Sequence, residues 1–311
     1  MTFSVVRWRF SGLAAHILFP MAVWCQIGNI MVTNGASFQP GLPPNGSIGT
    51  VFCTGLTVSG VVKAEGVPLP TSLSGVTVTV RGVPAPLFAV ADLGGYQQID
   101  FQVPQEVRTY PDGMPFVVSQ NGVQGFAKPT SSTSPGEFFR IGATQFGVFQ
   151  HASDCSPVTE DNQAAAGETV IAFLTGLPPA SPAVPDGQAT PTAPLSVVPQ
   201  KNLSTNGPLD QLAIFIGDNP YAAPGARLFD PPPIDGDSTG MKPIPFIGLA
   251  PGMVGVYQIN FILPDSAPSG IIPVQLVRDQ CGGVRNPSLP DCAPEYYKNL
   301  EYSKRVLLPI R

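Results

Sequence analysis

The chain has 311 residues, enough for about two domains at ~150 residues each, and each could bury a core without help. Only 12% of residues are charged, while Gly (33) and Pro (37) abound. Long solvated helices are therefore excluded: proline inside a helix costs ~3 kcal/mol, whereas the turns of an all-β protein use both residues freely. With 43% hydrophobic residues the chain lacks the composition of a disordered segment, and a net charge of −5 argues against nucleic acid, which is bound by fields of Lys and Arg.

The first 25 residues carry Arg7 and Arg9, no acid, and then an apolar run from Phe10 to Trp24, the pattern of a secretory signal peptide. His16 and Pro20 interrupt the run, which is shorter than the ~20 residues a spanning helix needs, so no permanent membrane span is expected once the signal is removed. The expected location is extracellular, at the cell surface or periplasmic. Cleavage after Cys25 would leave Cys53, Cys155, Cys281 and Cys292, an even number in an oxidising compartment. Cys281 and Cys292 flank a Gly/Pro-rich loop and are the first candidates for a disulfide, worth ~2–4 kcal/mol. Cys53 with Cys155 is the remaining combination. None of the spacings is CxxC, so zinc and redox chemistry are not expected.

The chain repeats itself. Gln98-Ile99-Asp100-Phe101-Gln102-Val103-Pro104 recurs as Gln258-Ile259-Asn260-Phe261-Ile262-Leu263-Pro264, and Thr54-Gly55-Leu56 recurs as Thr175-Gly176-Leu177. Two related modules are implied, over residues 26–152 and 168–311, joined by a connection at 153–167 where Cys155, Pro157, Asp161, Asn162 and Gly167 break any apolar period. Strand signals are short and alternating. In the first module they lie at Ile48 to Thr54, Val76 to Val80, Leu87 to Val90, Tyr96 to Val103, Phe116 to Ser119 and Phe146 to Gln150. In the second they lie at Thr169 to Leu174, Leu212 to Ile216, Val256 to Ile262, Ile272 to Val277 and Arg305 to Ile310. No crossover helix is visible, so the sheets are expected to be antiparallel and the architecture a sandwich. The second module carries an insertion, residues 218–245, with Asp218, Tyr221, Arg227, Asp230, Asp235 and Asp237.

The order Asn34-Gly35-Ala36-Ser37-Phe38-Gln39-Pro40-Gly41, Gly75-Val76-Thr77-Val78, Pro84-Ala85-Pro86-Leu87, the Gln98 to Pro104 strand, and Gly248-Leu249-Ala250-Pro251-Gly252 followed by Val254 to Phe261 resembles the uncharacterised Solibacter-type C-terminal domain of acidobacterial secreted proteins. That resemblance covers most of 34–311. It implies two tandem immunoglobulin-like sandwiches of the IPT/TIG sort and export, and no catalytic motif accompanies it.

Catalytic chemistry is short of parts. Beyond the leader the one histidine is His151, so a triad would hang on a single base and a multi-histidine metal site cannot be built; the residue is read as a polar group closing the first module. No nucleotide-binding or nucleophile-elbow pattern stands at a strand-to-helix junction. Asp235 and Asp237 could serve as paired acids for glycoside cleavage, but nothing around them supplies a burying wall, and the spacing of a dedicated calcium loop is missing. No catalytic residue, metal or cofactor is therefore expected. Gln98 with Asp100, and Gln258 with Asn260, share sheet faces opposite the core residues Ile99, Phe101, Ile259 and Phe261, and a structural account of them is preferred. Tyr221, Phe229, Tyr296, Tyr297 and Tyr302 could form a stacking or docking surface. The expected function is non-enzymatic: adhesion, surface assembly or binding of a protein or glycan through loops, with Tyr221, Asp230, Asp235 and Asp237 as the candidate ligand loop. The alternative is a carbohydrate-binding module or a weak glycoside hydrolase using loop carboxylates.

Overall fold

The computed structural model describes residues 26–107, 113–132, 134, 136–198, 211–217, 244–279 and 300–311. The first half forms β1 (Gly28–Asn34), β2 (Ile48–Thr54), β3 (Val61–Lys63), β4 (Ser72–Leu73), β5 (Val76–Val80), β6 (Val83–Pro84), β7 (Leu87–Asp92), β8 (Gln97–Gln102), β9 (Phe116–Gln120) and β10 (Val123–Ala127). The second forms β11 (Glu137–Phe138), β12 (Phe149–His151), β13 (Thr169–Thr175), β14 (Gln211–Ile216), β15 (Phe246–Leu249), β16 (Tyr257–Ile262), β17 (Gly270–Asp279), β18 (Leu300–Tyr302) and β19 (Val306–Ile310). The protein is all-β: no helix occurs among the described residues, and the ladders between these strands are antiparallel.

Strands alternate their side chains between faces, and the sequence obeys this. Val76, Val78 and Val80 are fully buried while Thr77 and Thr79 are half-exposed. Turns follow the same economy. Arg81-Gly82, between β5 and β6, and Asn121-Gly122, between β9 and β10, hold both central residues at positive φ (52° and 81°; 50° and 85°), the requirement of the two-residue hairpin turns that match strand twist.

The sheets run β1-β2-β8-β7-β3, β10-β9-β5-β4, β11-β13-β16-β15 and β14-β17-β18, with β6, β12 and β19 joined to β5, β13 and β17. One core takes Val51, Ile99 and Phe101 from the first sheet and Val78, Phe116 and Val118 from the second. The other takes Val170, Ile259 and Phe261 from the third and Ile214, Leu276 and Leu308 from the fourth. The internal repeat survives in the pairing: Gln98 faces Phe52 across β8 and β2, and Gln258 faces Phe173 across β16 and β13. Gly55 and Gly176, just beyond β2 and β13, share a φ of 94°.

The division between the halves lies earlier in the chain than composition suggests. β11 and β12 pair with β13, and Phe138 and Phe149 sit in the second core, so the Phe146 to Gln150 strand belongs to the second half and not the first. Nor is 153–167 a free connection. Val158 and Ala164 are buried in that same core, and Ala164 bridges Ile310; two apolar anchors suffice although polar residues break the period between them.

The halves meet along a polar seam. Ile48 N–H donates to Thr175 Oγ (2.8 Å), Lys304 Nζ donates to the Ser37 carbonyl (3.0 Å), and Gly187 N–H donates to Gln102 Oε1 (2.7 Å). The Gln105 N–H donates to the Asp186 carboxylate (3.1 and 3.2 Å).

In the first core Phe101 meets Phe116 edge-on at 5.5 Å, with both rings fully buried. Phe101→Ala is expected to destabilise the protein by ~3–5 kcal/mol, measured as a lowered midpoint in equilibrium urea unfolding.

Candidate ligand-binding face

The outer face of the first sheet carries the best-formed candidate site. Because β2 buries Val51 and Cys53, it turns Thr50 and Phe52 outward. Register then lines up Met31, Phe52, Gln98 and Ala91 across four strands in one row, and Thr33, Thr50, Asp100 and Ala89 in the next. Phe52 meets Phe38 edge-on at 5.6 Å and Tyr96 at 5.9 Å. Met31 is 47% exposed, Phe38 49% and Tyr96 46%, so an aromatic strip with a flexible thioether beside it stands open to solvent.

The polar half of the face is ordered by hydrogen bonds. Asp100 Oδ1 accepts from Thr50 Oγ (2.7 Å) and from Gln98 Nε2 (2.9 Å), while Thr33 Oγ donates to the Thr50 carbonyl (3.1 Å). Thr33 and Thr50 are buried. The carboxylate and amide are thus held in fixed geometry, which lowers the entropy that binding at this face would have to overcome.

Phe38 reaches the strip from the turn after β1 at a φ of 54°. A bulky residue in that region is strained by ~1–3 kcal/mol and persists only where its surroundings over-determine it. Asn34 does this: its Oδ1 accepts the amides of Ala36 (2.8 Å) and Ser37 (3.2 Å), and its carbonyl accepts that of Phe38 (3.0 Å).

The second half does not copy the site. Gln258 Nε2 donates to Asn260 Oδ1 (2.7 Å), but Asn260 replaces the carboxylate and Ile171 stands where Thr50 does. Ser196 and Val198 hydrogen-bond to β15, and Gly248 lies so close to the Ser196 carbonyl that a side chain there would collide with it.

The other residues singled out from sequence distribute differently. Tyr221, Asp230, Asp235 and Asp237, with Asp218, Arg227, Phe229, Tyr296 and Tyr297, lie outside the described residues, as do Cys281 and Cys292. Tyr302 packs against Phe215 and Val277 in a small satellite cluster and is not part of an open platform. His151 is 8% exposed. Its Nδ1 hydrogen-bonds to Glu168 Oε1, and its Nε2 lies 3.3 Å from the Asn162 carbonyl; Glu168 Oε2 also accepts the Ala165 amide (2.8 Å). The histidine therefore pins the 162–168 segment within the second half, and does not close the first.

The expected Cys53–Cys155 bridge is not formed: both thiols are free, the first buried and the second exposed. Cys53 belongs to the first core, whereas Cys155 sits on a turn beside β12, its amide bonded to the His151 carbonyl (2.9 Å), in the other half of the molecule. Among the described residues no group of three or more His, Cys, Asp or Glu is placed to hold a metal ion, and none forms a helix long and apolar enough to cross a membrane.

No protein-family model matches the chain, and no curated protein matches its sequence. Among solved structures it is similar to the endo-fucoidan hydrolase MfFcnA4 of glycoside hydrolase family 107. That likeness has 10% identity over 93% of this chain and 37% of that one, with a TM-score of 0.17. A score this low transfers neither fold nor activity.

Burial pushes the Cys53 thiol up to about 11, and the thiolate is the reactive form. Iodoacetamide on the native, unreduced protein is expected to label Cys155 and spare Cys53 until denaturant is added, as read by peptide mass mapping.

Proposed function

We propose that this is an exported, non-enzymatic β-sandwich protein of immunoglobulin-like build that binds a surface ligand on the outer face of its first sheet, and that the ligand is a saccharide. The observation that carries this reading is the open run of Phe38, Phe52 and Tyr96 beside the ordered Asp100–Gln98 pair. A sugar offers an apolar C–H face to stack on rings and a rim of hydroxyls to bond a carboxylate and an amide, and Tyr contributes both contacts in one side chain. A strained Phe38 supports the same reading, since strain concentrates at ligand clamps. Export is supported by the leader pattern of residues 1–25, and the immunoglobulin-like assignment by the Asn34 to Gly41 and Gln98 to Pro104 motifs. A hydrolase using Asp235 and Asp237 is the second reading, favoured by two acids standing two residues apart in the sequence.

A glycan array probed with the full chain, followed by calorimetry on the strongest hit, tests the proposal. Tyr96→Ala is expected to weaken binding by about two- to tenfold, the range of one ring contact at ~0.5–1.5 kcal/mol, with the urea midpoint unchanged. Asp100→Asn should weaken it further, because hydrogen bonds to a charged group contribute ~1.5–3 kcal/mol. An empty array, or a hit indifferent to both substitutions, overturns the saccharide reading. Release of reducing ends that is lost in Asp235→Ala would establish the hydrolase instead.

A further inference from the structure

Behind the seam lies a carboxyl group with no part in the ligand face. Glu137, on β11, is 1% exposed and sits in register with Thr175, whose hydroxyl accepts the Ile48 amide of the first half. Glu137 Oε2 accepts the backbone N–H of Lys304 (2.9 Å), and the ammonium of the same lysine crosses the seam to the Ser37 carbonyl (3.0 Å). Ser134 Oγ stands 2.7 Å from Glu137 Oε1 and 3.1 Å from the Gly136 carbonyl. A hydroxyl has one proton, so it cannot donate to both oxygens at once.

The two protonation states of Glu137 therefore require different bonding within one frame. When the acid is neutral its O–H donates to Ser134 Oγ, Ser134 donates to Gly136, and every partner is satisfied. When it is ionised Ser134 must turn its proton to the carboxylate, and the Gly136 carbonyl loses that donor. The charged groups facing Glu137 are Lys304, on the segment between β18 and β19, and Arg140, beyond β11. Arg140 Nη2 donates to the Arg305 carbonyl (3.2 Å) within the second half, whereas the Lys304 ammonium is the cation that bonds across the seam, to Ser37.

We propose that Glu137 is a proton-operated latch between the two halves: its neutral form keeps Lys304 anchored on Ser37, and ionisation draws the ammonium back and loosens the seam. Burial raises the Glu137 pKa, opposed by the bonds from Ser134 and Lys304. Its contribution to stability is therefore present in full below the unfolded-state value and is lost as pH rises through the higher folded-state value. Acid tightens the latch.

Amide hydrogen exchange on the full chain tests this, with protection factors for Ile48, across the seam near Glu137, and for Val78, in the first core. Protection at Ile48 is expected to fall severalfold as pH rises past the ordinary carboxylate range, with Val78 unchanged. Glu137→Gln should hold Ile48 protected at every pH, and Lys304→Met should leave it weakly protected at every pH. Asp186, whose pKa burial also raises, borders the seam beside Glu106, and Asp186→Asn should leave the transition intact. A transition that survives in Glu137→Gln, or vanishes in Asp186→Asn, overturns the proposal, as does a wild-type profile flat with pH.

Discussion

The two-residue period of β8 and β16 governs this molecule. Each strand is central in its sheet, hydrogen-bonded on both edges, so it cannot slip without sending Ile99 and Phe101, or Ile259 and Phe261, from the core to solvent. The same alternation fixes where Gln98 and Asp100 point, and what stands beside them across β2. Core and candidate site are thus two faces of one constraint, and neither can be changed by register without destroying the other.

Much of the fold is legible in the sequence because that period is local. β2 and β5 coincide with the stretches read from alternation, and β9, β13 and β16 differ only at their ends. β10 and β11 are among the strands that lack a clean period. β10 contains Gly125, which is required because the Ile27 carbonyl and Ile30 lie against it, and β11 is too short to show a pattern. The boundary between the halves is illegible for a related reason: Phe138, Phe149, Val158 and Ala164 are scattered among turn residues, and only their joint burial in one core reveals where they belong.

The ligand face was half legible. Outward placement of Gln98, Asp100 and Phe52 follows from alternation alone. Phe38 arrives from a turn, and its contact with Phe52 depends on the left-handed conformation that Asn34 enforces, which residue spacing does not encode. Tyr96 joins them only because β8 pairs with β2 in one particular register. The sequence signal for the strip is the outward Phe52, an apolar ring on the side of a strand that its neighbours leave to solvent.

The difference between the two outer faces bears on how firmly the proposed binding could hold. The first sheet carries rings and a carboxylate on its outer face; the third has Asn260 at the corresponding register position and its β15 edge closed by Ser196 and Val198. Under the proposed reading a single chain offers one such face, and firm attachment would have to come from display of many chains side by side, where each engaged copy raises the effective concentration seen by the next.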